Sequence, residues 1–437
     1  DLAQFRRWYS QSGTPILTVT DEYNEARHIY RLHVSQQTPA TADQVEKLNL
    51  HIPLKVALVD PASGQNLPLI GEIGETSDVL NVTESQQTFE FFGVKNHPVP
   101  ALLCDFSAPV KLNFNYSKAQ LITLLKFAKN EFARWNAIQS LFNCELKENL
   151  TRLQQGGLMQ FSYEFGSALE MVLDNVEDPQ LTALMLTMPK ETDFAELFDT
   201  IDPAGIAKVR EFLIESIAAY FEDRLFKLYK ANKCGEYCVN GKDIAKRALR
   251  NVCLSYLAFT DLGEKLVKAH YEQANNMTDT LAALSAATKA ELECRDELLA
   301  DFEAQWYQDG LVMDKWFALQ ATRPDEEVLN VVQGLLNHRS FNFNNPNRVR
   351  AVVGAFASQN PKAFHNIDGS GYRFLVDMLI KLNDSNPQVA SRLIEPLIKL
   401  SRYDGQRQTL MRRGLERLKG LDNLARDLFE KIDKSLH

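Results

Sequence analysis

The residues best suited to chemistry in this chain are eight histidines, six cysteines and two arginines, Arg348 and Arg350, set just inside an Asn-Pro break. A catalytic zinc needs protein ligands one helical turn apart, as in His-Glu-x-x-His. No histidine here is followed by glutamate. His28 and His33 stand five apart in a segment that reads as β, which turns them to opposite faces. The one close cysteine pair, Cys234 and Cys238 in "CGEYC", lacks the second pair that a zinc ribbon requires, so it reads as two free thiols near a loop. No Gly-rich phosphate loop and no Gly-x-Ser-x-Gly elbow is present. "GSG" at 369–371 follows no strand and reads as a helix cap with a tight turn. The residues by themselves therefore display no catalytic centre.

The arginines pose a different question. Asn345-Pro346 is a helix start, and the first turn after it carries Arg348 and Arg350. Two residues apart they lie roughly 200° around the axis, so only one of them can face a given cavity. A guanidinium so placed can grip a carboxylate with two parallel hydrogen bonds. The plainer reading, for these two and for Arg392, is pairing with acids on neighbouring helices or simple solvation. Tyr372 and Phe374, just past Gly371, read as core aromatics, and "RQTLMRRGLERLK" as a solvated helix face.

These side chains need elements to hold them. The 437 residues suffice for two or three domains of roughly 150 residues each. The composition, 45% hydrophobic and 24% charged, is that of a folded globular protein. Residues 1–116 read as β: Ile52, Leu54, Val56 and Leu58 alternate with other residues, as do Tyr30, Leu32 and Val34, and Val110, Leu112, Phe114 and Tyr116. With "ILTVT", "VLNVT", "TFEFF" and "ALLCDF" this makes about seven short strands and no crossover helix, the pattern of a small antiparallel β-sandwich. From Ser117 the period changes. Leu121, Leu124, Leu125, Ala128, Phe132 and Trp135 fall on one helical stripe. About fifteen helices follow over 117–437, on ordinary helix and loop lengths. The expected architecture is thus multidomain β + α: a sandwich over 1–116, then a large all-α superhelical, solenoid-like domain whose concave side would bind.

Charge and cysteine usage narrow the partners. A net charge of −9 argues against nucleic acid. It is uneven, for residues 338–437 hold 17 Lys and Arg against 10 Asp and Glu, and a basic lining there would attract peptide carboxylates. No apolar run reaches the roughly 18 residues of a membrane span, and no signal segment opens the chain. The cysteines show no framework spacing, which points to a reduced, cytoplasmic setting. The start at Asp1, without methionine, reads as the cut end of a longer or processed polypeptide.

Five segments carry a family likeness: "FRRWYSQSGTPILTV", "EQANNMTDTLAALSAAT", "GLVMDKWFALQAT", "NPNRVRAVVGAFASQNP" and "VASRLIEPLIKL". They resemble the C-terminal portion of bacterial aminopeptidase N, the alanyl aminopeptidase type of the zinc gluzincin peptidases, over essentially the whole chain. The resemblance implies the last two of four consecutive parts, with the zinc site and the motif for the substrate amine left on the absent half. Zinc would then be the cofactor of the parent enzyme, with no metal bound by this chain. The helical domain would form a bowl over the catalytic domain, limiting access and holding peptide. Arg350 and Arg392 match the family's channel-wall arginines. The implied partners are peptide substrates and the catalytic and N-terminal domains of the same polypeptide, with neither nucleic acid nor membrane. This chain alone would be inactive. The competing reading, which the residues by themselves leave open, is a free-standing α-solenoid that binds a peptide or protein.

Overall fold

The computed structural model describes residues 2–437. All seven expected strands are present among its ten: β1 Ile16–Asn24, β2 Ile29–Gln37, β3 Ile52–Val59, β4 Asn66–Leu67, β5 Ile70–Gly71, β6 Gly74–Glu75, β7 Val79–Val82, β8 Gln86–Phe92, β9 Val99–Leu102 and β10 Lys111–Asn113. One sheet runs β10-β1-β2-β8, a second β4-β3-β7 with β9 also on β3, and β5–β6 form a small hairpin. Alternation sets the register. Val19 faces Val34 and Leu32 faces Phe89 in the first sheet, while Leu54 faces Leu80 and Val56 faces Leu102 in the second. The apolar faces of both sheets share one core that contains Leu17, Tyr30, Leu32, Ile52, Leu54 and Leu80.

Two details depart from the sequence reading. β10 pairs parallel with β1, the sole parallel pair in an otherwise antiparallel set, and spans three residues rather than the seven of the alternating run. His28 sits in a left-handed turn (φ 52°) that leads into β2, and only His33 lies in the strand.

Helices begin at Lys118, where Ser117 and Gln120 form a capping box. The continuous stripe from Leu121 to Trp135 does not make one helix. Lys118–Phe127 ends, and Glu131–Gln154 starts after Asn130, whose Oδ1 accepts from the Ala133 amide at 3.0 Å. Among the described residues fifteen helices have at least seven residues, in line with expectation, and five more have only four or five. Their starts follow one rule: Asp178, Asp202, Asn345 and Asn386 cap helices whose first residue is proline.

The chain divides into two compact units. One holds residues up to Cys144 with Ser162–Asn175, the other Glu145–Phe161 with Val176–His437. Within the second, helices pack on their sequence neighbours: Pro203–Ala231 on Gly241–Leu257, Gly263–Gln273 on Met277–Lys289, and Arg295–Trp306 on Gly310–Ala321. No helix is long and apolar enough to cross a membrane.

Candidate functional site: the arginine-bearing turn at Asn345

Asn345 caps the turn Pro346–Val349, its side chain accepting from the Asn347 amide at 3.0 Å. The two arginines then part company, as their spacing requires. Arg348 is 3% exposed. Its Nη2 donates to the Gly310 carbonyl at 3.0 Å, its Nε lies 3.2 Å from Asp314 Oδ1, and its guanidinium stacks 4.7 Å from the Phe317 ring centre. All three partners belong to the helix Gly310–Ala321. Burial raises the pKa of the Asp314 carboxyl against the pull of Arg348, and burial lowers that of Arg348 against the pull of Asp314. The pair therefore does not recover its full desolvation cost. Arg348 is a helix-to-helix tie.

Arg350 is exposed and forms no ion pair among the described residues. Its single side-chain hydrogen bond runs from Nη1 to Asn347 Oδ1 at 3.2 Å. It opens a five-residue π turn, Arg350–Gly354, which nothing in the sequence announced. Such turns are rare and recur at functional sites. Arg392, in the helix Pro387–Leu393, is likewise exposed and has neither hydrogen bond nor ion pair among the described residues. The π turn and the helix bearing Arg392 touch. A Cβ at Gly354 would lie 3.1 Å from Leu393 Cδ2, so glycine there permits the close approach.

Behind this surface lies a buried histidine that sequence reasoning passed over. His365, 3% exposed, has Nδ1 2.9 Å from the Tyr372 hydroxyl and Nε2 2.9 Å from the Tyr403 hydroxyl. Burial, reinforced by Arg407, pushes its pKa down to about 3. The ring is neutral at ordinary pH and must donate through one nitrogen and accept through the other. The chain reaches this arrangement through Gly369, at φ 70°, and Gly371, where a Cβ would fall 2.2 Å from the Phe364 carbonyl oxygen. Tyr372 and Phe374 are core residues at 1% and 6% exposure. Cys234 and Cys238 are free thiols. Among the described residues no three His, Cys, Asp or Glu side chains are grouped to hold a metal ion, so a zinc ion finds no cage here.

Comparison with known proteins supplies the context for these arginines. The family model described as "Domain of unknown function (DUF3458_C) ARM repeats" matches residues 118–437, and its Ig-like-fold companion matches residues 13–115. Aminopeptidase N of Haemophilus influenzae is 61% identical over the whole chain, and that of Escherichia coli 55%. This chain belongs to the bacterial aminopeptidase N family. It spans half the length of those relatives and aligns with their C-terminal part. The aminopeptidase N of Caulobacter vibrioides is 33% identical over the same extent. The crystal structure of Legionella pneumophila aminopeptidase A in complex with aspartic acid superposes with a TM-score of 0.85 at 27% identity, covering all of this chain and half of that one. Arg348, Arg350 and Arg392 all fall in the segment matched as ARM repeats.

Proposed function

We propose that this chain is the non-catalytic C-terminal region of a zinc metalloaminopeptidase that releases N-terminal amino acids from peptides in the cytoplasm. The zinc and the general base that activates its water belong, in this reading, to the other half of the polypeptide. This half encloses the active site, limits access and holds the distal part of the peptide. Its two domains divide between Tyr116 and Ser117. Arg350 and Arg392 serve as the peptide grip on the channel wall.

The observation that carries the reading is the 61% identity to an aminopeptidase N along the entire chain. Two further features support it. Arg350 and Arg392 keep their guanidinium groups clear of acidic partners, and they stand on elements in mutual contact. Arginines spent on internal pairing would have no donors left for a substrate carboxylate.

In the full-length protein, Arg350→Ala should lower kcat/KM for tri- and tetrapeptides by roughly tenfold or more, the worth of a charge-assisted hydrogen bond. Single-residue chromogenic amides, which have no distal carboxylate, should be hydrolysed as before. Equal losses on both substrate types would assign Arg350 to structure. Metal-dependent peptidase activity in the 437-residue chain alone would overturn the division of labour.

A further inference from the structure

A separate cavity of about 350 Å³ opens among the helices Pro203–Ala231, Gly241–Leu257 and Met277–Lys289 and the turn after Ala355–Gln359. Its size lies in the range that holds a small organic ligand. Its charges balance without pairing. Arg210, Lys289 and Lys362 contribute three cations and Glu191, Glu211 and Glu291 three carboxylates, yet no ion pair forms between them.

The donors are only partly used. Arg210 gives its Nε hydrogen to the Pro189 carbonyl at 3.1 Å, and the Lys289 ammonium donates to the Thr322 carbonyl at 2.9 Å. Lys362 has no hydrogen bond or ion pair among the described residues. Opposite in sign, Glu191 Oε2 is buried and accepts no hydrogen bond. Buried acceptors are nearly always satisfied, so an orphaned one in a cavity marks a place for a donor. Burial raises the Glu191 pKa, with Arg210, Lys289 and Lys362 pulling against it. Lys289 is held below its usual range, chiefly because protein surrounds it, although it remains open to water in the cavity. Glu291 lines the same space from a left-handed backbone (φ 51°), a conformation that is costly for a residue with a side chain.

A simple anion would answer the cations and leave Glu191 unsatisfied, and a simple cation would do the reverse. We propose that this cavity is a binding site for a free amino acid in its zwitterionic form, its carboxylate held by Arg210 and Lys289, its ammonium by Glu191, and its apolar side chain by Met188, Ile214 and Phe259. The site uses neither Arg350 nor Arg392 and stands independently of the peptidase reading.

Calorimetric titration of the full-length protein tests it with three probes of one shape: L-leucine, L-leucinamide (no carboxylate) and 4-methylpentanoate (no ammonium). One leucine-binding event should weaken about tenfold or more in Lys289→Gln, on the scale of one charge-assisted hydrogen bond. At that event both truncated probes should bind at least tenfold more weakly than leucine. Glu191→Gln should weaken leucine while leaving 4-methylpentanoate unchanged. A site elsewhere on the protein would bind leucine identically in wild type and variants, and that result overturns the proposal. So does 4-methylpentanoate binding as tightly as leucine. Melting curves check that the variants are folded. Should Lys289→Gln fail to fold, Lys362→Gln, whose side chain holds nothing else in place, carries the same test with the same two outcomes.

Discussion

The strand region and the helical region keep their interiors in opposite ways. Among residues 2–116 the buried polar side chains are only Gln36 and Asp60, and both are hydrogen-bonded to nearby backbone. The helical part buries Arg247, Arg250, His270, Asp279, Arg348 and His365, and leaves several of their atoms without a partner, among them Arg250 Nε, His270 Nε2 and Arg348 Nε. A sheet satisfies its backbone through its ladders and needs only apolar residues inward. Helices joined by short loops meet through side chains alone, and charged ties fix which helix meets which. The strand region is stabilised mainly by area, the helical region by area and by specific polar contacts.

That contrast can be broken experimentally. Leu54→Ala, at a fully buried position of the sandwich core, should cost about 3–4 kcal/mol, with no compensating single change nearby. Arg348→Met should cost about 3 kcal/mol, because it strands Asp314. Adding Asp314→Leu should recover most of that loss, since replacing both partners of a buried pair is commonly near neutral. Urea unfolding with a double-mutant cycle checks both. If the double variant were no better than Arg348→Met, the pair would be a stabiliser in its own right.

A gentler test uses pH. His365 is held at about 3 and His270 at about 4 by burial, both below the ordinary value near 6.5. Each therefore binds a proton more readily in the unfolded chain. The neutral rings contribute their full stability above pH 6.5, and it is lost as pH falls from 6.5 toward 4. Each histidine should add a slope of about 1.4 kcal/mol per pH unit within that window. Burial raises Glu191 and Glu215, which act with the opposite sign and flatten the curve. Replacing His365 by Gln should remove one proton from the linkage measured by unfolding at stepped pH. An unchanged slope would mean that the ring is already charged in the fold.

How much of this could be read from residues alone follows the same divide. Strand period revealed β3 residue for residue, because its inward side is buried at every second position. It could not reveal that β10 runs parallel to β1, since alternation carries no direction. The stripe from Leu121 to Trp135 hid a helix boundary because the chain restarts on nearly the same phase after Asn130. Spacing showed that Arg348 and Arg350 must diverge. Which one is buried was settled by Asp314 and Phe317, more than thirty positions earlier. The cavity of Glu191, Arg210, Lys289 and Lys362 left no local motif, because each residue comes from a different helix or turn.

The wide turn at Arg350–Gly354 has a consequence for the whole segment that leaves it. An added residue in one turn advances everything downstream by about 100° around the axis. Asn360, whose amide ties down the Ala321 and Arg323 carbonyls, and Lys362 at the cavity owe their bearing to that offset. The turn acts as a phase-setter along a single rod: at its near end Arg350 looks out to solvent, and at its far end the same chain is swung round to close another chamber.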